Sequence, residues 1–299
     1  MNTVEADRGE RKLSLQLVLA AAGTIILWAS AFPGIRAGLV GYAPVHLVLL
    51  RFLVASLALL LIAPFARIRV PQWRHMPTFV LLGLTGVTTY NLALSFGETH
   101  VSAGAASLLV NTGPIFTALL AVLFLKERLL PWGWLGLLMS FSGAVVIVLT
   151  STSALSLNPW ATIILLAAVL QSTSFILQKP LYAYYRPLEL TSDVIWCGTL
   201  LNLVFLPGLT ADIRNASLNA TVAVVYLGLF PAALAYLMWA VVLSHLPTNR
   251  AGSLLYAVPV MTVVISWAWL GEVPNGPTLL GGSLAIGGVL IVNTLGSMR

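Results

Sequence analysis

Residues 106–143 read ASLLVNTGPIFTALLAVLFLKERLLPWGWLGLLMSFSG, and residues 251–288 read AGSLLYAVPVMTVVISWAWLGEVPNGPTLLGGSLAIGG. Laid one over the other at an offset of 145 and without a gap, they share Ala106/Ala251, Leu109/Leu254, Pro114/Pro259, Thr117/Thr262, Leu125/Leu270, Glu127/Glu272, Leu135/Leu280, Gly136/Gly281 and Gly143/Gly288. Leu matches are cheap in so apolar a chain, but Pro, Glu and Gly matches are not. The register continues upstream, where Leu82-Gly83-Leu84 meets Leu227-Gly228-Leu229 and His100 meets His245. Nearer the start of each half the offset becomes 143, pairing Phe32 with Phe175, Arg36 with Lys179 and Pro44 with Pro187. The chain is a duplication. Duplicated polytopic membrane proteins are most often transporters, with the substrate site between the repeats.

Composition sets the solvent. The chain is 59% hydrophobic and 8% charged, against about 25% charged for soluble domains. A span needs about 20 apolar residues, and ten such runs can be traced: 13–33, 43–63, 76–96, 101–125, 132–150, 159–178, 189–209, 220–243, 250–270 and 278–296. The expected fold is an all-α integral membrane protein of ten transmembrane helices. A short tail (1–12) precedes a first five-helix repeat (13–150) and a second (151–299). The net charge of +6 does not point to nucleic acid, because the basic residues are scattered between apolar runs as topology signals. With the N-terminus cytoplasmic, Arg8, Arg11, Lys12, Arg67, Arg69, Arg74, Lys126, Arg128, Lys179, Arg186, Arg250 and Arg299 fall inside, and only Arg36 and Arg214 fall outside. That bias puts both termini inside. Five spans per repeat is odd, so the second half crosses in the opposite sense: a 5+5 inverted repeat.

Several stretches resemble the drug/metabolite transporter superfamily, EamA type. They are Trp28-Ala-Ser-Ala-Phe32 with Arg36, Pro44 with Leu50-Arg51-Phe52, Asn111-Thr-Gly-Pro114 followed by Lys126-Glu127-Arg128, and Tyr256-Ala-Val-Pro259 followed by Gly271-Glu272. The overall look is similar to bacterial aromatic amino-acid exporters. The resemblance implies export from cytoplasm to periplasm through an inner membrane. It also implies a cavity lined mainly by spans one to four and six to nine, with spans five and ten packed outside it.

Polar and aromatic residues at mid-depth are the binding candidates: Trp28, Ser30, Tyr90, Asn91, Asn111, Gln171, Trp239 and Tyr256. An amide in hydrocarbon needs a partner, so Asn111 and Gln171 serve either as helix glue or as ligand contacts. Together, amides for an α-amino and carboxylate group and ring faces for stacking suit an amino acid. Pro114 and Pro259 are repeat equivalents placed to kink spans four and nine, as packing kinks or as hinges for alternating access. Intramembrane charges are functional hypotheses by default. Arg51 matches the second-span Arg of the family, which implies a structural or gating ion pair, with Glu98 as candidate partner. Asp193 either snorkels to the inner surface or takes part in proton coupling. Glu127 and Glu272, at matching helix ends, are expected to satisfy neighbouring helix N-termini or basic residues. The small-residue stripes Gly136-Ser140-Gly143 and Gly281-Ala285-Gly288 are expected to let helix backbones approach closely.

No ligand spacing links the four histidines, and the single cysteine, Cys197, allows no cluster, so neither metal nor cofactor is expected. Walker A, H-E-x-x-H, G-x-S-x-G and C-x-x-C motifs are missing from the sequence, which argues against an enzyme. The expected partners are a small-molecule substrate and the lipid bilayer, with no nucleic acid and no obligate protein partner. Exporters of nucleosides or drug-like metabolites on the same fold, a lipid-modifying membrane enzyme, and a non-transporting receptor remain alternatives.

Overall fold

The computed structural model describes residues 3–113, 116, 130–150, 158–245 and 254–295. Every described element is helical. In chain order these are α1 (Thr3–Leu39), α2 (Pro44–Ala66), α3 (Trp73–Glu98), α4 (Ala103–Val110), α5 (Pro131–Thr150), α6 (Pro159–Ala183), α7 (Pro187–Phe205), α8 (Leu218–His245), α9 (Ala257–Leu270) and α10 (Gly276–Leu295), with a short helix Leu209–Asn215 between α7 and α8. Among the described residues, six stretches are long and apolar enough to cross a membrane: Leu15–Leu39 of α1, together with α2, α3, α6, α7 and α8. Pro131–Ile147 and α9 are shorter apolar helices.

The helix ends are set locally. Pro44, Pro159 and Pro187 open α2, α6 and α7 at positions where a missing N–H costs nothing. Asn158 caps α6 by accepting from the amides of Trp160 at 3.0 Å and Ala161 at 3.4 Å. Ser102 and Ser217 cap α4 and α8 in the same way. Because lipid is as apolar as the core, polarity and small residues, rather than hydrophobicity, decide which face turns inward. On α2 the buried face carries Leu47, Arg51, Phe52 and Ala55, whereas Leu57, Leu61 and Phe65 are exposed.

The duplication is visible in the packing. The Ser56 and Thr199 hydroxyls lie 2.7 Å apart, and Ser140 Oγ donates to the Ala285 carbonyl at 2.7 Å. Each pair consists of repeat equivalents, and a contact between equivalents lies on a pseudo-two-fold axis. Ser140 and Ala285 belong to α5 and α10, which pack on one another through the small stripes. Gly143 lies against Gly281 and Ala285, and Gly288 against Gly136 and Ser140. Any Cβ on these glycines would overlap the facing backbone.

Two matching distortions were not foreseen. Gly83–Thr89 within α3 and Gly228–Leu234 within α8 are π-helical, and they are the same stretch of the two repeats. Their leading glycines allow close crossings. A Cβ on Gly83 would sit 2.6 Å from the Gly198 amide nitrogen of α7, and one on Gly228 would sit 2.6 Å from the Arg51 carbonyl oxygen of α2. Such insertions recur at functional sites because they turn side chains and free carbonyls.

The described parts of spans four and nine each carry a break in the helix. Helix α4 stops at Val110 and passes into a turn at Asn111–Thr112. Helix α9 begins at Ala257, after a turn at Leu255–Tyr256. Asn111 and Tyr256 are repeat equivalents, each three residues before a proline. A proline ring clashes with the carbonyl four residues earlier, which falls at Val110 and Leu255. Pro259 therefore sits in the first turn of α9. Pro114 itself, and Lys126, Glu127 and Arg128, lie outside the described residues.

Candidate functional site

The site grows out of the two π segments. In α3, the Asn91 side-chain amide donates to the Val87 carbonyl at 2.8 Å and the Gly86 carbonyl at 3.4 Å. In α8, the Pro231 carbonyl accepts from Trp28 Nε1 of α1 at 3.3 Å. Gly86 and Pro231 are repeat equivalents, so each half offers the same carbonyl to a different side chain. Once its amide is held, Asn91 points its oxygen at Arg51 of α2, which donates from Nη1 at 3.1 Å. Asn91 is also within hydrogen-bonding reach of the Tyr236 hydroxyl. Tyr236 is the repeat equivalent of Asn91, so a third contact falls on the pseudo-two-fold axis.

From Tyr236 the chain of contacts turns aromatic. Trp28 meets Tyr236 edge-on with ring centres 5.4 Å apart, and meets Trp239 at 5.4 Å. Phe175 of α6 lies 6.4 Å from Trp239. The arrangement runs from a guanidinium, through an amide and a phenol, to a group of rings drawn from α1, α6 and α8. Its polar end is buried, with Arg51 3% and Asn91 1% exposed. Arg51 interacts electrostatically with Tyr236, Tyr90 and Glu98. Such a string offers one end to charge and the other to apolar surface.

The structure thus brings Trp28, Tyr90, Asn91, Arg51 and Trp239 together. Tyr236 and Phe175 belong with them and were missed. The signal for Tyr236 was present, since the offset of 145 maps Asn91 onto it. Ser30 points elsewhere: its hydroxyl lies 2.6 Å from that of Tyr226 and donates to the Leu27 carbonyl. Asn111 is half-buried and donates to the Ser107 carbonyl at 2.9 Å. Gln171 is half-buried on α6, and its side-chain oxygen has no partner among the described residues. Tyr256 is buried at the interruption before α9. Asp193 is 3% exposed, and its Oδ2 has no partner among the described residues. Glu98 makes no ion pair with Arg51 among the described residues. Its carboxyl lies within electrostatic reach of Arg36, Glu272 and Arg51.

A second cluster joins α1, α3, α4 and α9 at one end of the bundle. Arg36 Nε donates to Glu272 Oε1 at 3.1 Å, and Arg36 Nη1 donates to the Glu98 carbonyl at 2.6 Å. The other Glu272 oxygen accepts from the Ala103 amide at 3.0 Å, capping α4. Glu272 thus does what a helix-end carboxylate was expected to do, serving a neighbouring N-terminus and a base at once. Arg36, whose place at a span end reads mostly as a topology signal, here also makes an inter-helix ion pair. Beside it lies a pocket of about 360 Å³ lined by Arg36, His100, Ser102, Ala105, Asn275 and Thr278, among others.

A bundle of apolar helices built from a duplicated half, with polar and aromatic side chains meeting on its pseudo-two-fold axis, defines a multi-pass membrane transporter. A family model described as the EamA-like transporter family matches residues 15–149 and again 158–294. The chain belongs to this family. It is 43% identical over 279 residues to the "Uncharacterized transporter YdfC" of Bacillus subtilis strain 168, covering 93% of this chain and 91% of that protein. It is 40% identical over 292 residues to a protein of Streptantibioticus cattleyicolor named "Probable terminal-alkyne amino-acid exporter", covering 96% and 97% of the two chains. The "Uncharacterized inner membrane transporter YedA" of Escherichia coli K12 is 26% identical over 261 residues, covering 86% of this chain and 84% of that protein. A solved crystal structure superimposes with a TM-score of 0.63 over 92% of this chain and 95% of that one. At 21% identity it speaks for the fold alone.

Proposed function

We propose that this transporter exports amino acids, aromatic and other apolar ones, across a bacterial inner membrane by alternating access. The observation that carries the reading is the string Arg51–Asn91–Tyr236–Trp28–Trp239, which sets hydrogen-bonding groups for a backbone beside rings for a side chain. The relative named "Probable terminal-alkyne amino-acid exporter" supports the same substrate class. In this reading the chain crosses the membrane ten times as a 5+5 inverted repeat, with both termini cytoplasmic. The two halves rock about the axis, and the interruptions at Asn111 and Tyr256, next to Pro114 and Pro259, absorb the bends. Interrupted helices at the repeat interface are where transporters place their substrates.

Purified protein in liposomes, assayed for flux of labelled phenylalanine, methionine and adenosine with and without a pH gradient, tests the proposal. Phenylalanine and methionine should move and adenosine should not. Flux indifferent to the gradient fits a uniporter, whereas flux that follows it makes Asp193 the first residue to neutralise. Movement of adenosine alone sinks the amino-acid reading.

A further inference from the structure

Asn91, Ser95 and Glu98 sit one turn apart on one face of α3, so the row rises about 10 Å along the helix. Ser95 and Glu98 are 0% exposed, and Arg51, which holds the lower end of the row, is 3% exposed. Arg51 Nε, Ser95 Oγ and both carboxyl oxygens of Glu98 have no hydrogen-bond partner among the described residues. A buried polar group left unpaired is costly, and an unpaired charge more so. Here a guanidinium and a carboxyl group stand along one buried row, within electrostatic reach of each other, yet they make no ion pair.

The neighbours of Glu98 are already occupied. Arg36 spends Nε on Glu272 and Nη1 on the Glu98 backbone carbonyl, and Glu272 spends its second oxygen on Ala103. Arg36, Arg51, Glu98 and Glu272 cancel in formal charge. A ligand that carries both signs satisfies both ends of the row and leaves that balance intact.

We infer that the Arg51–Ser95–Glu98 row is a zwitterion cradle, in which Arg51 takes the substrate's α-carboxylate and Glu98 takes its α-ammonium. Ser95 supplies a hydroxyl between them. The amino-acid side chain then points towards Trp28, Tyr236 and Trp239. The inference rests on the amino-acid reading above and adds what selects the backbone: both charges, not the ring alone.

The test is competition against labelled phenylalanine in proteoliposomes, using phenethylamine, which lacks the carboxylate, and 3-phenylpropionate, which lacks the ammonium. In the wild type, each should compete at least about tenfold more weakly than unlabelled phenylalanine, the size expected for losing one charge-assisted hydrogen bond. Glu98→Gln should shift the preference towards 3-phenylpropionate, and Arg51→Gln towards phenethylamine. If the wild type moves phenylalanine and all three compounds compete equally, the cradle is refuted and the amino-acid reading stands. If no amino acid moves, both fall. The wild-type comparison decides the matter even if a variant fails to fold.

Discussion

Replacing Glu272 by Ala should open the end of the bundle that Arg36 and Glu272 close. Glu272 makes two contacts across helices, with Arg36 Nε at 3.1 Å and the Ala103 amide at 3.0 Å. The side chains of the ion pair are 33% and 22% exposed, so solvent screens it to about 1 kcal/mol, the upper end for surface pairs. Capping the N-terminus of α4 adds about 1 kcal/mol. Together these give about 2 kcal/mol, or about a thirtyfold shift towards the open form. A reporter cysteine at Ala105, which is 3% exposed and lines the adjacent pocket, reads this shift in a Cys197→Ala background. Its maleimide labelling rate in detergent follows the open population. The expected result is a large rise in rate in Glu272→Ala and a rise in Arg36→Ala as well, with the double variant falling short of the sum, because both single variants remove the shared ion pair. A rate within twofold of the parent would refute the view that this cluster holds the closed form.

The glycine crossings make a stability prediction. Gly83→Ala and Gly228→Ala each place a Cβ 2.6 Å from a facing backbone atom, so each should destabilise the protein by about 1–3 kcal/mol, seen as a lower Tm in detergent. Trp28→Phe keeps an aromatic ring but removes the bond to the Pro231 carbonyl, at a cost of about 0.5–1.5 kcal/mol, and should lower Tm and weaken phenylalanine flux together. Asp212 lies outside the spans, where the Ala43 amide and the His46 ring hold its carboxyl below the usual aspartate range. Its folded pKa is depressed, so its contribution is present above the unfolded value of about 3.9 and is lost as the pH falls through the folded one. Asp212→Asn should therefore lower Tm at neutral pH, and the gap to wild type should close in acid. A gap that widens on acidification would contradict this.

The repeat, the membrane class and most helix positions were legible because they rest on spacing and composition, which a sequence states outright. The small stripes of α5 and α10 were legible for a related reason, since Gly at helical spacing has few other uses in an apolar run. The π segments were not. Gly83 and Gly228 marked close approach, but an inserted residue in a helical ladder leaves no periodicity of its own. The partners of Arg36 and Arg51 were not legible. Arg36, at a span end, forms the ion pair, while Arg51, deep in α2, bonds an amide. Linear depth fixes how far a side chain lies from water, but not which neighbouring helix it faces. The offset of 145 maps Asn91 onto Tyr236, but an alignment states which positions correspond and not which of them meet in space.

The contact between Asn91 and Tyr236 carries a consequence for the orientation of a bound solute. In an assembly of two identical chains the axis position would hold the same side chain twice, and an unsymmetrical solute would find two interchangeable poses there. A single fused chain places one amide and one phenol at that point. The two poses are then unequal, and a solute with a distinct head and tail can be held one way round throughout its passage.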